Sequence, residues 1–295
     1  MSEKDNQKIT GLTHFIVCQT ILAEVLIYNN KMENYQIIDL VIYPVKSLGG
    51  ISLESCELTE LGFQHDRRWM LVDASNRFIS QREIPQLALF ECHLKPDGVQ
   101  VVYGDEKVII PFDTYLNHDL KVSVWEHEVI ANEVDEKIST WFSNVLSHNC
   151  KLVTTGSNYN RIKTFIKPPF NTKVSFADGY PYLILGTASL ELLNSKLSVV
   201  LPYNRFRPNI FVKTNEAHEE DAWNNIDLGT AQLKVIKPCA RCIITTIDQS
   251  TGTKGKEPLK TLSTYRKDAN SVLFGANAMM VRKGNVNKND LVVVK

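Results

Sequence analysis

The 295-residue chain has no net charge, its 33 lysines and arginines being matched by 33 aspartates and glutamates. Without a positive excess there is no field to hold a polyanion by counterion release, which argues against nucleic acid as the main partner. Cysteine is sparse for this length. Six residues (Cys18, Cys56, Cys92, Cys150, Cys239, Cys242) fall far short of a disulfide scaffold and four are scattered singly. That pattern suits a reducing cytoplasm with one special pair, Cys239 and Cys242. Long apolar runs are missing as well. The one candidate, residues 12–28, is interrupted by His14, Gln19 and Glu24, follows a neutral start and lacks a small-residue cleavage site. It fits neither a signal peptide nor a membrane span. Thr13, Thr20 and Glu24 recur there at helical spacing, so residues 1–32 are expected to form a short helix or a loosely attached extension. No repeat, low-complexity tract or hydrophilic linker divides the chain.

From Tyr35 onward, short runs rich in β-branched and aromatic residues, among them QIIDLVIYPV, RFISQRE, LALFECHLK and LKVSVWEHEVIANEV, alternate with Gly, Pro, Asp and Asn at barrel-like spacing. The period changes at residues 135–147, where Ile138, Trp141, Phe142 and Val145 make the stripe of an amphipathic helix opened by Asp135. Residues 154–174, with Lys151 just before, concentrate Arg161, Lys163, Lys167 and Lys173 and read as a long basic surface loop, open to an acidic partner or simply solvated. A helix over 187–197 with Thr187 as cap follows, then strands NIFVK, AQLKVIKP, CIITTID and LVVVK. The expectation is a mainly β protein with short helices (α+β). A β-barrel-like domain over residues 33–130 packs against a second β-barrel domain over 131–295, and 43% of the sequence is hydrophobic material for the two cores.

The sharpest local feature is Lys237-Pro-Cys-Ala-Arg-Cys242. A structural zinc half-site needs two more ligands, and the seven histidines show no ligand-like spacing. A thioredoxin-type dithiol needs a helix after the pair, whereas IITTID has a strand pattern. Two buried cysteines acting as small hydrophobes are a third reading. The fourth is ligation of a soft transition metal by one thiolate, with Arg241 nearby to favour the thiolate and receive an anionic cofactor. Three other segments carry what a phosphate-bearing cofactor requires. These are Tyr43-Pro-Val-Lys-Ser47, Asp66-Arg-Arg-Trp69 and Asn204-Arg-Phe-Arg-Pro-Asn209, where Lys46 with Ser47, Arg67 or Arg68, and Arg205 or Arg207 can each bind an anion. Any one of these cations taken alone reads more simply as a solvated surface charge.

Taken together, IYPVKS, DRRW, SFADGYPYL, FRPNI, EEDAW and KPCARCIITTID resemble, in order and spacing, the MOSC-domain proteins that carry an N-terminal MOSC β-barrel. The resemblance runs from about residue 35 to the C-terminus. It is strongest to bacterial relatives of the mitochondrial amidoxime-reducing component, including a reductase of 6-hydroxylaminopurine. It implies a molybdenum–molybdopterin cofactor and reductive removal of oxygen from N-hydroxylated compounds. Carried over residue by residue, it makes Cys242 the molybdenum ligand and catalytic centre, and Cys239 a neighbour that does not bind the metal. It assigns Lys46 and Ser47 to the pterin phosphate. Arg67, Arg207, Asn209, Ala240 and Arg241 become further cofactor contacts, with Asp178, Gly179 and Tyr180 lining the site. Tyr180 departs from the smaller polar residue of the mitochondrial members.

The longer bacterial relatives add a ferredoxin domain with four cysteines, a motif this sequence does not contain. The resemblance therefore implies electrons from a separate flavodoxin-, ferredoxin- or cytochrome b5-like protein, in the cytoplasm. The MOSC domain also forms part of molybdenum cofactor sulfurases. The alternative is thus a cofactor-binding or sulfur-carrying module without reductase activity, made less apt because no pyridoxal-phosphate segment is present to supply sulfur.

Overall fold

The computed structural model describes residues 35–166 and 169–295; the extension expected at residues 1–32 lies outside them. Alternation of inward and outward side chains makes Tyr35–Ile42 a strand with Ile37, Leu40 and Ile42 fully buried. A bulge between Ile37 and Asp39 shifts its register, so the inward positions do not keep a strict period of two. This strand pairs with Ile210–Lys213 on one side and Leu291–Val294 on the other. The order continues through Asn225–Leu228, Ala231–Ala240, Ser271–Arg282 and Tyr182–Gly186, and the last pairs again with Ile210–Lys213. Seven strands thus close into a barrel, which leaves no edge to cover. The single parallel pairing in the ring, Tyr182–Gly186 with Ile210–Lys213, needs a crossover, and the helix Thr187–Asn194 lies within it. The barrel interior is filled by Ile184, Ile210, Val212, Ile226, Leu233, Ala276 and Ala278.

A second β system comes from the first half of the chain. Trp69–Asp73, Cys150–Thr154, His127–Glu133 and Asp119–Val124 form one antiparallel sheet, and Glu91–Lys95, Gly98–Tyr103 and Glu106–Pro111 form a meander. The helix Glu136–Leu146 covers them, placing Phe142 against Phe90 and Trp141 in a core with Trp69, Leu71, Val99 and Leu152. It opens where the sequence places it, with Asp135 Oδ1 accepting from the amides of Lys137 at 2.7 Å and Ile138 at 3.2 Å. The mainly β architecture read from the sequence is the one observed. The boundary expected at residue 130 lies inside His127–Glu133, and the first described strand belongs to the barrel formed with residues 182–294. Among the described residues no helix is long and apolar enough to cross a membrane.

Three local expectations differ from the structure, each for a side-chain reason. CIITTID is not a strand. Ile243–Thr246 is a 3-10 turn in which Thr245 Oγ1 donates to the Cys242 carbonyl at 2.9 Å and Thr246 Oγ1 to that of Ile243 at 2.7 Å. Hydroxyls satisfying carbonyls three residues back overcome the β-branched preference. RFISQRE is not a strand either, because Ser80 N and Oγ both donate to Glu83 Oε2, at 3.2 and 2.6 Å, and fold the segment into a turn. Thr187 does not cap its helix. Gly186 occupies that position, and the Thr187 hydroxyl instead accepts from the Thr214 amide at 3.1 Å.

If the barrel core is the main store of stability, Ile37→Ala should cost about 2–5 kcal/mol. The exposed Ile109, replaced by Ala, should cost no more than about 0.5 kcal/mol. Urea denaturation of the two variants compares them directly.

Candidate functional site

The site lies on the outside of the barrel. Register pairs Leu183 with Asn277 and Asn277 with Lys237, and these three alternate with the inward Ile184, Ala276 and Ala278. They line a cleft of about 410 Å³. The Ala177–Tyr180 loop, the ends of YPVKS and FRPN, the Cys239–Cys242 segment and Arg82 with Trp125 from the other β system complete its wall. Every residue that the resemblance assigns to the site lines this one cleft, namely Lys46, Ser47, Arg67, Asp178, Gly179, Tyr180, Arg207, Asn209, Ala240, Arg241 and Cys242.

Three of these residues hold left-handed backbone conformations, Ser47 at φ +73°, Arg67 at +49° and Arg207 at +55°. Such conformations cost about 1–3 kcal/mol each for residues with a Cβ and persist only where the surroundings fix them. At Arg67 the surroundings are visible: its amide donates to the Tyr43 carbonyl and its own carbonyl accepts from Phe176, both at 3.0 Å. Asp66 anchors the same corner. Fully buried, it accepts from the Tyr43 amide at 2.7 Å and from Arg67 Nη1 at 2.5 Å. Arg67 goes on to Asn209 Oδ1 at 2.9 Å and the Arg207 carbonyl at 3.3 Å. The Arg67 and Arg207 guanidinium groups lie 4.5 and 4.1 Å from the centre of the Tyr43 ring. Burial, seconded by Arg67, brings Arg207 down to about 10, so it remains charged at neutral pH.

The structure also separates the paired alternatives. Arg68 points to Thr59 Oγ1 at 3.3 Å, and Arg205 is buried against Asp248 at 2.6 Å; neither lines the cleft. Lys46 is buried, donates to the Phe176 carbonyl at 2.7 Å and is ion-paired with Asp178. Burial lowers its pKa, and Asp178 pushes it back up. Asp178 is half-exposed, and its partial desolvation alone would raise the pKa. The Lys46 ammonium, Arg82 and the Trp125 N–H, 3.2 Å away, together outweigh it and hold the carboxyl well below its ordinary range.

The two cysteines have different neighbours. Cys239 Sγ accepts from Arg241 Nη1 at 3.2 Å, a contact two residues away, whereas Cys242 Sγ accepts from Arg82 Nη2 at 3.1 Å, across 160 residues of sequence. Arg82, Trp125 and Glu126 are lining residues that no motif singled out, and Lys163 and Lys237 join them although neither was assigned to the site. The spacing Ser80-x-x-Glu83 was the one signal of a turn at Arg82. Trp125 and Glu126 occupy the tip of a hairpin, where nothing in the sequence points toward a cleft. The lining carries seven cationic side chains (Lys46, Arg67, Arg82, Lys163, Arg207, Lys237, Arg241) against two carboxylates, Glu126 and Asp178. In a chain of zero net charge this concentration selects for an anion.

The expected basic surface loop is different in kind. Ile162–Ile166 and Pro169–Lys173 pair antiparallel, residues 167–168 with Lys167 lying outside the described residues, and Arg161 is 2% exposed. Its Nη1 donates to the carbonyls of Ser175 at 3.0 Å and Ala177 at 2.6 Å. Lys163 Nζ donates to the Asp178 carbonyl at 3.0 Å. Backbone carbonyls turned inward need donors, and these two cations supply them, so the segment shapes the cleft wall. Arg161→Ala, which strands those carbonyls, should lower stability by about 2–5 kcal/mol in urea denaturation.

A pH dependence also follows. A carboxyl with a depressed folded-state pKa contributes stability that is complete above its unfolded value of about 4 and is lost as pH falls below it. Melting temperature should therefore drop more steeply below pH ~4 in the wild type than in Asp178→Asn.

Two family profiles match the chain, the MOSC N-terminal beta barrel domain over residues 34–149 and the MOSC domain over residues 171–293. Mitochondrial amidoxime-reducing component 1 of Mus musculus is 32% identical over 238 residues, covering 77% of this chain and 70% of that protein. Mitochondrial amidoxime reducing component 2 of Bos taurus is 32% identical over 77% of this chain and 71% of that protein. Molybdenum cofactor sulfurase of Oryza sativa subsp. japonica is 29% identical over 80% of this chain, which spans 31% of that longer protein. Built on a closed barrel with a second β system against its outer face, and matched by both profiles, the chain belongs to the family of MOSC-domain proteins with an N-terminal MOSC β-barrel domain.

Proposed function

We propose that the cleft binds an anionic molybdenum–molybdopterin cofactor, that Cys242 supplies the protein's sulfur ligand to the metal, and that the chain reduces N-hydroxylated compounds. The observation that carries this reading is the convergence of one long-range-anchored cysteine sulfur with a surplus of cations on a wall built from distant segments. Among the described residues no group of three or more His, Cys, Asp or Glu is placed to hold a metal ion. A metal at Cys242 therefore comes with other ligands of its own, as a pterin dithiolene provides, and a thiolate is the soft donor that suits it. Arg241 Nε is buried in the wall without a hydrogen-bond partner, a donor that an anionic group would satisfy.

When bound, such a cofactor would supply the two-electron redox chemistry that removal of oxygen from an N–O bond requires. The net balance is R–NH–OH plus two electrons and two protons, giving R–NH2 and water. The chain's own residues bind and orient. Arg67 uses three of its five N–H donors on Asp66, Asn209 and the Arg207 carbonyl, which fixes the guanidinium plane and leaves donors for a phosphate. Arg207 is fixed by the Leu48 carbonyl at 2.7 Å and presents its remaining donors in the same way. Lys46 orients the Phe176–Asp178 loop while adding its charge beside Ser47. Tyr180, pushed up to about 12 chiefly by burial, keeps its phenolic proton at neutral pH. Leu183, Phe206 and Trp125 supply apolar wall that limits water.

Electrons come from a separate flavodoxin-, ferredoxin- or cytochrome b5-like protein. The exposed Lys237, with Lys163 beside it in the wall, offers positive charge to an acidic carrier. The 80% of this chain matched by the rice sulfurase supports a second reading, in which the cleft handles the cofactor without reducing a substrate.

Metal and pterin analysis of the purified chain, followed by reduction of a hydroxylamine with a chemical electron donor, separates the two. Bound cofactor with turnover supports the reductase, bound cofactor without turnover supports the second reading, and absence of metal and pterin defeats both. Cys242→Ala should abolish turnover while Cys239→Ala keeps most of it. Arg67→Ala or Arg207→Ala should lower retained cofactor about tenfold or more.

A further inference from the structure

We propose that Arg82 is a positioning residue for Cys242, and that its N–H···S hydrogen bond sets how strongly that sulfur donates to a bound metal. The inference rests on the reading of Cys242 as the metal ligand. Its physical basis is the unusual fixity of this arginine. An arginine at a surface turn ordinarily extends into water, yet the Arg82 side chain is only 16% exposed. Nη2 lies 3.1 Å from Cys242 Sγ and 3.5 Å from Asp178 Oδ2. The guanidinium also sits 4.5 Å from the centre of the Trp125 ring.

Each of those partners is itself held. Trp125 donates from Nε1 to Asp178 Oδ1 at 3.2 Å and packs its ring on Phe78 at 5.0 Å, and Asp178 is ion-paired with buried Lys46. The backbone is pinned too. The Arg82 amide donates to Ser80 Oγ at 3.3 Å, its carbonyl accepts from Lys254 Nζ at 2.9 Å, and the preceding Gln81, fully buried, donates to the Ser47 carbonyl at 2.7 Å. The donor aimed at Cys242 is therefore set by the second β system, while the sulfur is set by the barrel.

A guanidinium carries N–H donors and no acceptor, so the sulfur can only be the acceptor of this bond. A donor to a ligating sulfur draws electron density from it, weakens its donation to the metal and favours the lower oxidation state, which raises the reduction potential. Cys239 offers the contrast. Its contact with Arg241 is local, two residues along the chain, and ties no second element to the sulfur.

The test uses the cofactor-loaded full chain. Molybdenum and pterin content, the midpoint potential of the metal followed by electron paramagnetic resonance, and kcat with KM are measured for wild type, Arg82→Gln, Arg82→Lys and Trp125→Leu. Arg82→Gln should retain cofactor, shift the midpoint to lower potential and lower kcat about 10- to 100-fold with KM little changed. Arg82→Lys, which restores a charged donor without the planar fork, should recover part of both. Trp125→Leu removes the prop and leaves the donor, so its shift should have the same sign and be smaller. A wild-type midpoint in cofactor-loaded Arg82→Gln overturns the inference. If Arg82→Gln does not load, an unshifted midpoint in Trp125→Leu overturns it instead. A wild type without molybdenum or pterin is a different failure, that of the functional reading itself.

Discussion

The buried carboxylate of Asp66 is the contact on which the cleft depends. One oxygen accepts from the backbone of Tyr43 and the other from Arg67, and Arg67 in turn reaches Asn209 and the Arg207 carbonyl. Three sequence segments, YPVKS, DRRW and FRPN, are thereby fixed to one another around a single fully buried anion. Burying an unpaired charge is costly, and removing one partner of such a pair leaves the other stranded at about 3–5 kcal/mol. The carboxylate therefore enforces the arrangement rather than merely favouring it. Left-handed backbone at Arg67 is tolerated because these bonds, with those of its own amide to Tyr43 and its carbonyl from Phe176, over-determine it.

Barrel closure sets the rest of the geometry. Alternation along Tyr182–Gly186 and Ser271–Arg282 turns Ile184, Ala276 and Ala278 inward, which obliges Leu183 and Asn277 to face out. The cleft floor is thus the outer face of a barrel whose interior is filled by apolar side chains. Its opposite wall comes from the other β system, through Arg82 and Trp125. Chemistry assigned to the barrel cysteine is in this way placed under the influence of residues more than a hundred positions earlier in the chain. That division explains why the cationic surplus is visible only in three dimensions, the sequence as a whole having no net charge.

Much of this was legible in the residues, and the parts that were not share a physical reason. Strand alternation and the Asp135 cap are local signals, and both the mainly β class and the helix Glu136–Leu146 follow from them. Arg67 over Arg68 and Arg207 over Arg205 came from motif resemblance, and the structure brings both chosen arginines to the cleft. Local pattern misled where side chains satisfy the backbone. Thr245 and Thr246 curl IITTID into a turn, and Glu83 does the same to RFISQRE. Arg161 was misjudged for a related reason: a basic residue in an aperiodic stretch looks solvated, and only the fold shows the carbonyls of Ser175 and Ala177 waiting for it. The meeting of Arg82 with Cys242 is out of reach of the sequence, since a contact spanning 160 residues leaves no trace in spacing.

Cys242, and not Cys239, is the ligand we propose for a molybdenum held in this cleft. X-ray absorption at the molybdenum edge of the loaded chain tests it most directly, by comparing wild type with Cys242→Ala and Cys239→Ala. A sulfur neighbour of the metal should be lost in Cys242→Ala and kept in Cys239→Ala. An unchanged sulfur shell in loaded Cys242→Ala, or its loss in Cys239→Ala, would contradict it.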